Sequence, residues 1–518
     1  MRKRSLLSNS GIVLFTQVWS VFLSLFTTPY IIKKLGTDAY GILSLIIVLT
    51  GYLSFLDLGF GWGLIKYIAE FRAKDDRDAI KKTVETSLFV FLSLGLVASL
   101  ALILSAAWVT NSVFNIPRVL VPEAVKAIRI SAVGFLLSFL IVVLSSFFKG
   151  VQRFDLSNIT QTFFNSSYVI GTVILLIFGK GLIEIVWLSL LLNGLALLAH
   201  ILLANRLLPG IARLPRFHKP YFKMLAGFSF FSMLSRLGML AIYQIDKFFV
   251  AYFLPISMLS YYVVPFNLSQ KLNFMGSNIA SVAMPFATEK ISTHQEQSFR
   301  QTYYRIAKSL WLLTLAPTMV VLVFSNQILR LWISPEFSRQ GTIPLIFLAA
   351  GFFIISVATL EAVTIDASGK PQVNAFFLIT AGAANFVLCL LLTKYFSIIG
   401  TGVALFISLL CLAIAVIYYS HKYILRTERF EYLRSVIIPF LKVLFITTPL
   451  LIIFKWLISN LIILIILSLL SMLGIILTGY LIVFNREEKE SIKGKIYDFY
   501  RQLTIFKSRK VIVVPKSK

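Results

Sequence analysis

Four cations, Arg236, Lys247, Lys271 and Lys442, lie inside long apolar stretches where lipid would ordinarily exclude them. An ionisable side chain at the membrane centre costs roughly 2.5–3.5 kcal/mol on insertion scales and generally faces a partner or a watered cavity. At about 1.5 Å per residue, Arg236 lies roughly 15 Å from the inner end of its span and Lys271 roughly 18 Å from the outer end of the next. Two cations at one depth on neighbouring helices repel unless water or an anion lies between them. An anionic ligand is the chemistry this pattern points to. The plainer alternative is neutralisation by a buried carboxylate, with Asp246 and Glu361 among the candidates.

Neutral polar residues extend the pattern. Ser229, Ser232, Tyr243 and Lys247 share the helical face of Arg236, and Asn267, Lys271, Phe274 and Asn278 form a stripe with Gln270 and Asn273 beside it. Near the start of the chain, Gln17, Ser20, Ser24 and Thr27 make one face, answered by Ser54 and Asp57 in the following stretch. Such residues line a cavity for a hydroxyl-rich ligand, or act as packing contacts between membrane helices. The binding candidates are Arg236, Lys271, Asn267, Asn278, Tyr243, Lys247, Gln17 and Ser24. Asp57, Lys66, Asp246 and Glu361 are candidates for ion coupling or gating, a structural pair between Asp57 and Lys66 being the alternative at that position.

No catalytic or metal constellation accompanies them. His200, His218, His294 and His421 are scattered, and Cys389 and Cys411 lie in separate apolar stretches as small buried hydrophobes. Gly59, Gly61 and Gly63 lack the preceding strand and phosphate-binding lysine of a nucleotide loop, and read as a helix end or hinge.

The elements that must hold these groups are membrane helices. Of the 518 residues, 58 % are hydrophobic and 14 % charged, with a mean hydropathy of +0.86. Spanning the hydrocarbon takes about 20 apolar residues as a helix, and the ten-residue alternation of barrel strands is absent. We read an all-α polytopic membrane protein of fourteen spans. A displacement of 219 residues lays the first six spans on the next six, placing Leu35 on Leu254 and Glu70 on Glu289. An even number of spans gives both copies one orientation, as in parallel repeats with a site between them. The expected organisation is a six-helix lobe over 1–206, a second over 207–425, two added spans over 426–484, and a basic cytoplasmic tail over 485–518. In that tail Ile492, Ile496, Phe499 and Leu503 recur at helical spacing among lysines and arginines, which suits anionic membrane lipid.

The net charge of +27 follows topology rather than nucleic-acid binding. With the N-terminus inside, the inner segments hold 35 basic residues and the outer loops 10, so both termini are expected in the cytoplasm. The first span follows Met1-Arg-Lys-Arg but is interrupted by polar residues and lacks a small-residue cleavage site, so it reads as uncleaved.

The stretch PYIIKKLGTDAYGILSLIIVLTGYLSFLDLGFGWGLIKYIAE, Pro29–Glu70, resembles the start of the polysaccharide-biosynthesis flippases, the O-antigen (Wzx-type) exporters. FFKGVQRFDLSN resembles their loop between spans 4 and 5, and QIDKFFVAYFLPISMLSYY their junction between spans 7 and 8, with Leu-Ser replacing the usual small residue and glycine before the tyrosine. Together these cover spans 1–12. The resemblance implies the multidrug/oligosaccharidyl-lipid/polysaccharide exporter superfamily: two six-helix lobes in a V and alternating access. It also implies a polyprenyl-diphosphate-linked oligosaccharide moved to the outer leaflet of a bacterial inner membrane, beside other polysaccharide-assembly proteins. No cofactor is expected beyond a proton or sodium gradient. A drug or organic-cation antiporter of the same superfamily is the alternative, favoured by Asp57, Glu361 and Asp366 and opposed by Arg236 and Lys271. A membrane glycosyltransferase or polymerase is weaker, because the longest outer loop, about 110–127, holds one acid, Glu123.

Overall fold

The computed structural model describes residues 6–57, 59–211, 215–292, 296–428, 430–490 and 494. The side chains of Gln17, Ser229, Ser232, Phe274 and Asn278 lie outside the described residues, as do Ile492, Ile496, Phe499 and Leu503 of the amphipathic tail. Among the described residues the chain is helical, with no strand beyond one isolated bridge between Asn115 and Pro255. In lipid each backbone donor and acceptor must be met within the protein, and a helix does this along its own length.

The helices run α1 (Leu6–Leu35), α2 (Thr37–Leu53), α3 (Phe60–Ala73), α4 (Arg77–Trp108), α5 (Val121–Gly150), α6 (Phe154–Ile177) and α7 (Leu182–Leu207). They continue as α8 (Lys219–Tyr243), α9 (Ile245–Phe253), α10 (Ile256–Ser292), α11 (Glu296–Trp332), α12 (Pro335–Ala367), α13 (Pro371–Tyr419), α14 (Ile438–Leu457) and α15 (Leu461–Val483). Ten helical stretches among the described residues are long and apolar enough to cross a membrane. One of them, Pro371–Ile424, is 54 residues long, over twice the length that one crossing takes. Its helix changes direction at Ser397, whose φ of 56° and ψ of −149° are non-helical.

The stretch read as one span over Ala226–Leu254 is instead two helices. Gln244, at φ −127° and ψ −30°, separates α8 from α9. A helix end leaves carbonyls without intrahelical donors, and the Asn385 side chain on α13 supplies them: its Nδ2 donates to Ala241 O at 3.1 Å and to Ile242 O at 3.2 Å. Close packing keeps α13 in reach, since a Cβ on Gly382 would stand 2.9 Å from that of Ala241.

The helices pack as two compact units. The first comprises Met1–Lys271, Ile328–Ile355 and Lys370–Val416. One apolar core in it joins Phe60, Leu64 and Ile68 of α3 to Phe91 of α4 and to Phe139 and Phe147 of α5. The motif after α5 seals this core at its edge. Arg72 donates to Val151 O at 2.6 Å, Arg153 grips Asp155 with two bonds of 2.9 and 3.1 Å, and a Cβ on Gly150 would come within 2.7 Å of Ile68. The bond to Asp155 holds the Arg153 guanidinium above its usual range.

The second unit comprises Leu272–Gln327, Ser356–Gly369 and Ile417–Lys518. Here Trp311 of α11 stacks on Phe440 of α14 at 5.3 Å and donates to the Tyr432 hydroxyl at 3.0 Å. Lys308 meets both carboxylate oxygens of Glu488 at 3.0 Å. These contacts fasten the last two apolar helices to α11.

Candidate functional site

The turn that ends α2 places the first charged group. Ser54–Asp57 tightens into a 3₁₀ turn, and Gly59 takes φ 79°, a left-handed value that glycine adopts without strain. Asp57, 4 % exposed, accepts from Gly59 N at 2.9 Å through one oxygen and from the Arg236 guanidinium through the other. Gly59 thus stands at a helix end, and Arg236 has a carboxylate. That carboxylate is neither Asp246 nor Glu361, and the ion partner of Asp57 is Arg236.

Lys247 is also paired. It is buried on α9 beside Asp246, with Nζ 3.4 Å from Oδ1, donates to Tyr243 O, and lies 3.4 Å from the centre of the Phe266 ring. Asp246 is fully buried, receives the Tyr262 hydroxyl at 2.8 Å and accepts from Lys247 N at 2.8 Å. Lys271 differs. Among the described residues it meets no carboxylate, and its Nζ donates to Ser24 Oγ at 2.5 Å.

Beside these groups is a cavity of about 390 Å³ lined by residues of α1, α2, α6, α8, α9 and α10. Four of the predicted binding residues, Ser24, Tyr243, Lys247 and Asn267, reach it. Lys271 touches its wall through Ser24, and Arg236 lines a neighbouring space of about 280 Å³ that shares Tyr243 and Gln244 with it. Asp57 joins the site through Arg236 and Asp246 through Lys247, whereas Glu361 belongs to the second unit.

The lining follows the repeat. Ser24 and Tyr243, Thr28 and Lys247, Ser44 and Val263, Ile47 and Phe266, and Val48 and Asn267 all face the cavity, and each pair is displaced by 219 residues. A second contact obeys the same rule. The Gly41 backbone lies so close to α10 that an added Cβ would be 2.3 Å from Ile256 O, while Ser260 Oγ donates to Thr37 O at 2.6 Å. Displaced by 219, Gly41 becomes Ser260 and Thr37 becomes Ile256. Each copy therefore places the same position against the same backbone of the other, as a two-fold axis requires. Sequence reading missed Thr28, Phe266, Tyr262 and the Gly41 contact. Applying the displacement to individual side chains, and not only to whole spans, would have found three of these cavity and contact positions: Thr28 opposite Lys247, Phe266 opposite Ile47, and Gly41 opposite Ser260.

A many-helix membrane protein with a polar cavity between its helices defines the class: polytopic helical membrane proteins with an internal chamber. The chain belongs to the polysaccharide biosynthesis protein family, whose profile matches residues 6–290. It is 24 % identical over 379 residues to the uncharacterized membrane protein EpsK of Bacillus subtilis, covering 72 % of this chain and 74 % of that one. It is 22 % identical over 376 residues to a putative O-antigen transporter of Shigella flexneri, covering 72 % and 87 %. Among solved structures it resembles the lipid II flippase MurJ in an inward closed conformation, with a TM-score of 0.66, 16 % identity and coverage of 96 % of this chain and 100 % of that one. An inward-facing multidrug resistance MATE family transporter of the MOP superfamily gives a TM-score of 0.65 at 13 % identity, covering 79 % and 94 %. At these identities the structural likeness shows the fold.

Proposed function

We propose that this chain is a flippase that carries a polyprenyl-diphosphate-linked oligosaccharide from the inner to the outer leaflet of a bacterial cell membrane. It works by alternating access, as a transporter and not an enzyme. Two six-helix lobes and a closing helix pair form the working unit, fourteen spans in all with both termini in the cytoplasm. The observation that carries this reading is the cavity on the repeat axis: hydroxyl, amide and aromatic groups for a glycan, with the Lys271 ammonium at the wall. Because Arg236 and Lys247 already have carboxylates, Lys271 is the cation best placed to meet a diphosphate, and Arg236 can reach one only by leaving Asp57. The curated relative described as an O-antigen transporter and the structural neighbour described as a lipid II flippase support the substrate class. The acids nearest the cavity, Asp57 and Asp246, are each offset by a cation, which disfavours an organic-cation antiporter.

Cells lacking the chain should accumulate the lipid-linked glycan in the inner leaflet and lose surface polysaccharide. Wild-type protein should restore export, and Lys271→Ala, made at normal protein levels, should not. Full export in cells without the chain would overturn the reading. Topology has its own test in a cysteine-free background. A cysteine at Val119, 89 % exposed, should react with an impermeant reagent added outside, and one at Asp75 only after the inner face is opened. The reverse pattern would refute the orientation.

A further inference from the structure

The second unit holds a buried carboxylate that the cavity does not use. Glu361 of α12 is fully buried, and its Oε1 accepts the Tyr303 hydroxyl of α11 at 2.7 Å. The Tyr303 oxygen is 3.0 Å from His421 Nε2, and His421 Nδ1 is 2.9 Å from Thr427 Oγ1. Tyr303 is 1 % exposed and His421 8 %, whereas Thr427 is half-buried in a loop beside exposed Arg426 and Glu428. Three hydrogen bonds thus connect a sequestered acid to a loop that the topology places in the cytoplasm. Phenol, imidazole and alcohol are each donor and acceptor, so every link can take a proton on one side and release one on the other.

The groups around this chain leave its charge unanswered. Arg300 of α11 faces His421 but is held by Glu431 at 2.6 Å. Tyr304 and Tyr432 place their rings 6.2 and 4.6 Å from His421, and the Tyr432 hydroxyl also lies beside the Glu361 carboxylate. No cation pairs with Glu361 in the ion pairs formed among the described residues of this unit. An uncompensated buried carboxylate is costly in its charged form, and proton uptake is the simplest way to remove that cost.

We propose that Glu361 is a proton-binding site loaded from the cytoplasmic loop through Thr427, His421 and Tyr303. A proton arrives at His421 Nδ1 from the Thr427 side, the Nε2 proton passes to the Tyr303 oxygen, and the Tyr303 hydroxyl proton passes to Glu361 Oε1. Imidazole and phenol end neutral, one proton has been taken up, and the carboxylate has become an acid. The use of this proton to drive transport rests on the flippase reading; the site itself does not.

The test needs no substrate. Infrared difference spectra of the full-length protein in lipid, taken between about pH 8 and about pH 5, should show a carboxylic C=O band that shifts when glutamate is ¹³C-labelled. Glu361→Gln, which can keep the bond to Tyr303, should lose this band. Tyr303→Phe should retain it but slow its appearance after a pH jump about tenfold. No glutamate band in wild-type protein, the same band in Glu361→Gln, or an unchanged rate in Tyr303→Phe would each overturn the proposal. A failure of glycan export in cells would instead count against the flippase reading and leave these spectra as they are.

Discussion

Lys247→Ala should be among the most damaging single substitutions in this chain. It leaves Asp246, fully buried, with the Tyr262 hydroxyl and a backbone amide but no cation. Breaking a buried ion pair from one side costs about 3–5 kcal/mol, because the remaining charge is uncompensated. The variant should melt far below wild type in detergent and reach the membrane poorly. Replacing both partners, as in Asp246→Asn with Lys247→Met, removes both charges and should recover most of the melting temperature. Under the proposed function that double variant would still export poorly, since Lys247 also faces the cavity. A single variant that melts like wild type would overturn this expectation.

The second large effect is expected at Gly41, through motion rather than charge. Gly41→Val directs a branched side chain at Ile256 O, where even a Cβ would come within 2.3 Å. The obstacle is backbone, so no rotamer relieves it. Overpacking of this kind typically costs 1–3 kcal/mol, and here the strain falls on the turn where the two copies meet. The Val variant should hold the outer ends of α2 and α10 apart. A cysteine at Val48 in the cavity should then react faster with an impermeant reagent supplied outside, while export falls. Ser260→Ala, at the equivalent position, removes one hydrogen bond and should have a small effect by comparison. Equal labelling in wild type and Gly41→Val would rule out this contact as an outer closure.

The helical class was legible because lipid removes alternatives: a long apolar run in a bilayer can be little else. Ser24, Tyr243, Lys247 and Asn267 were legible as well, since polarity in such a run stands out. The partners were not. Asp57 is 179 positions from Arg236, and periodicity on one helix says nothing about which distant carboxylate another helix presents. The break at Gln244 escaped for a related reason. Gln244 is not a helix breaker by composition, and the interruption is sustained by Asn385 on a helix far along the chain. By residue type Phe266 is one more apolar side chain, and only the fold sets the Lys247 ammonium over its ring.

A two-fold axis has no direction, and a cavity built on one would accept a ligand equally well either way round if its halves were alike. Here they have diverged. One half presents Ser24, Thr28 and Val48, and the other presents Tyr243, Lys247 and Asn267 at the matching positions. A ligand with one acidic end and one sugar end would meet a different surface at each, so the chamber sets its heading. Under the proposed function the inherited symmetry supplies the hinge, and its erosion at five pairs of positions decides which end of the cargo leads.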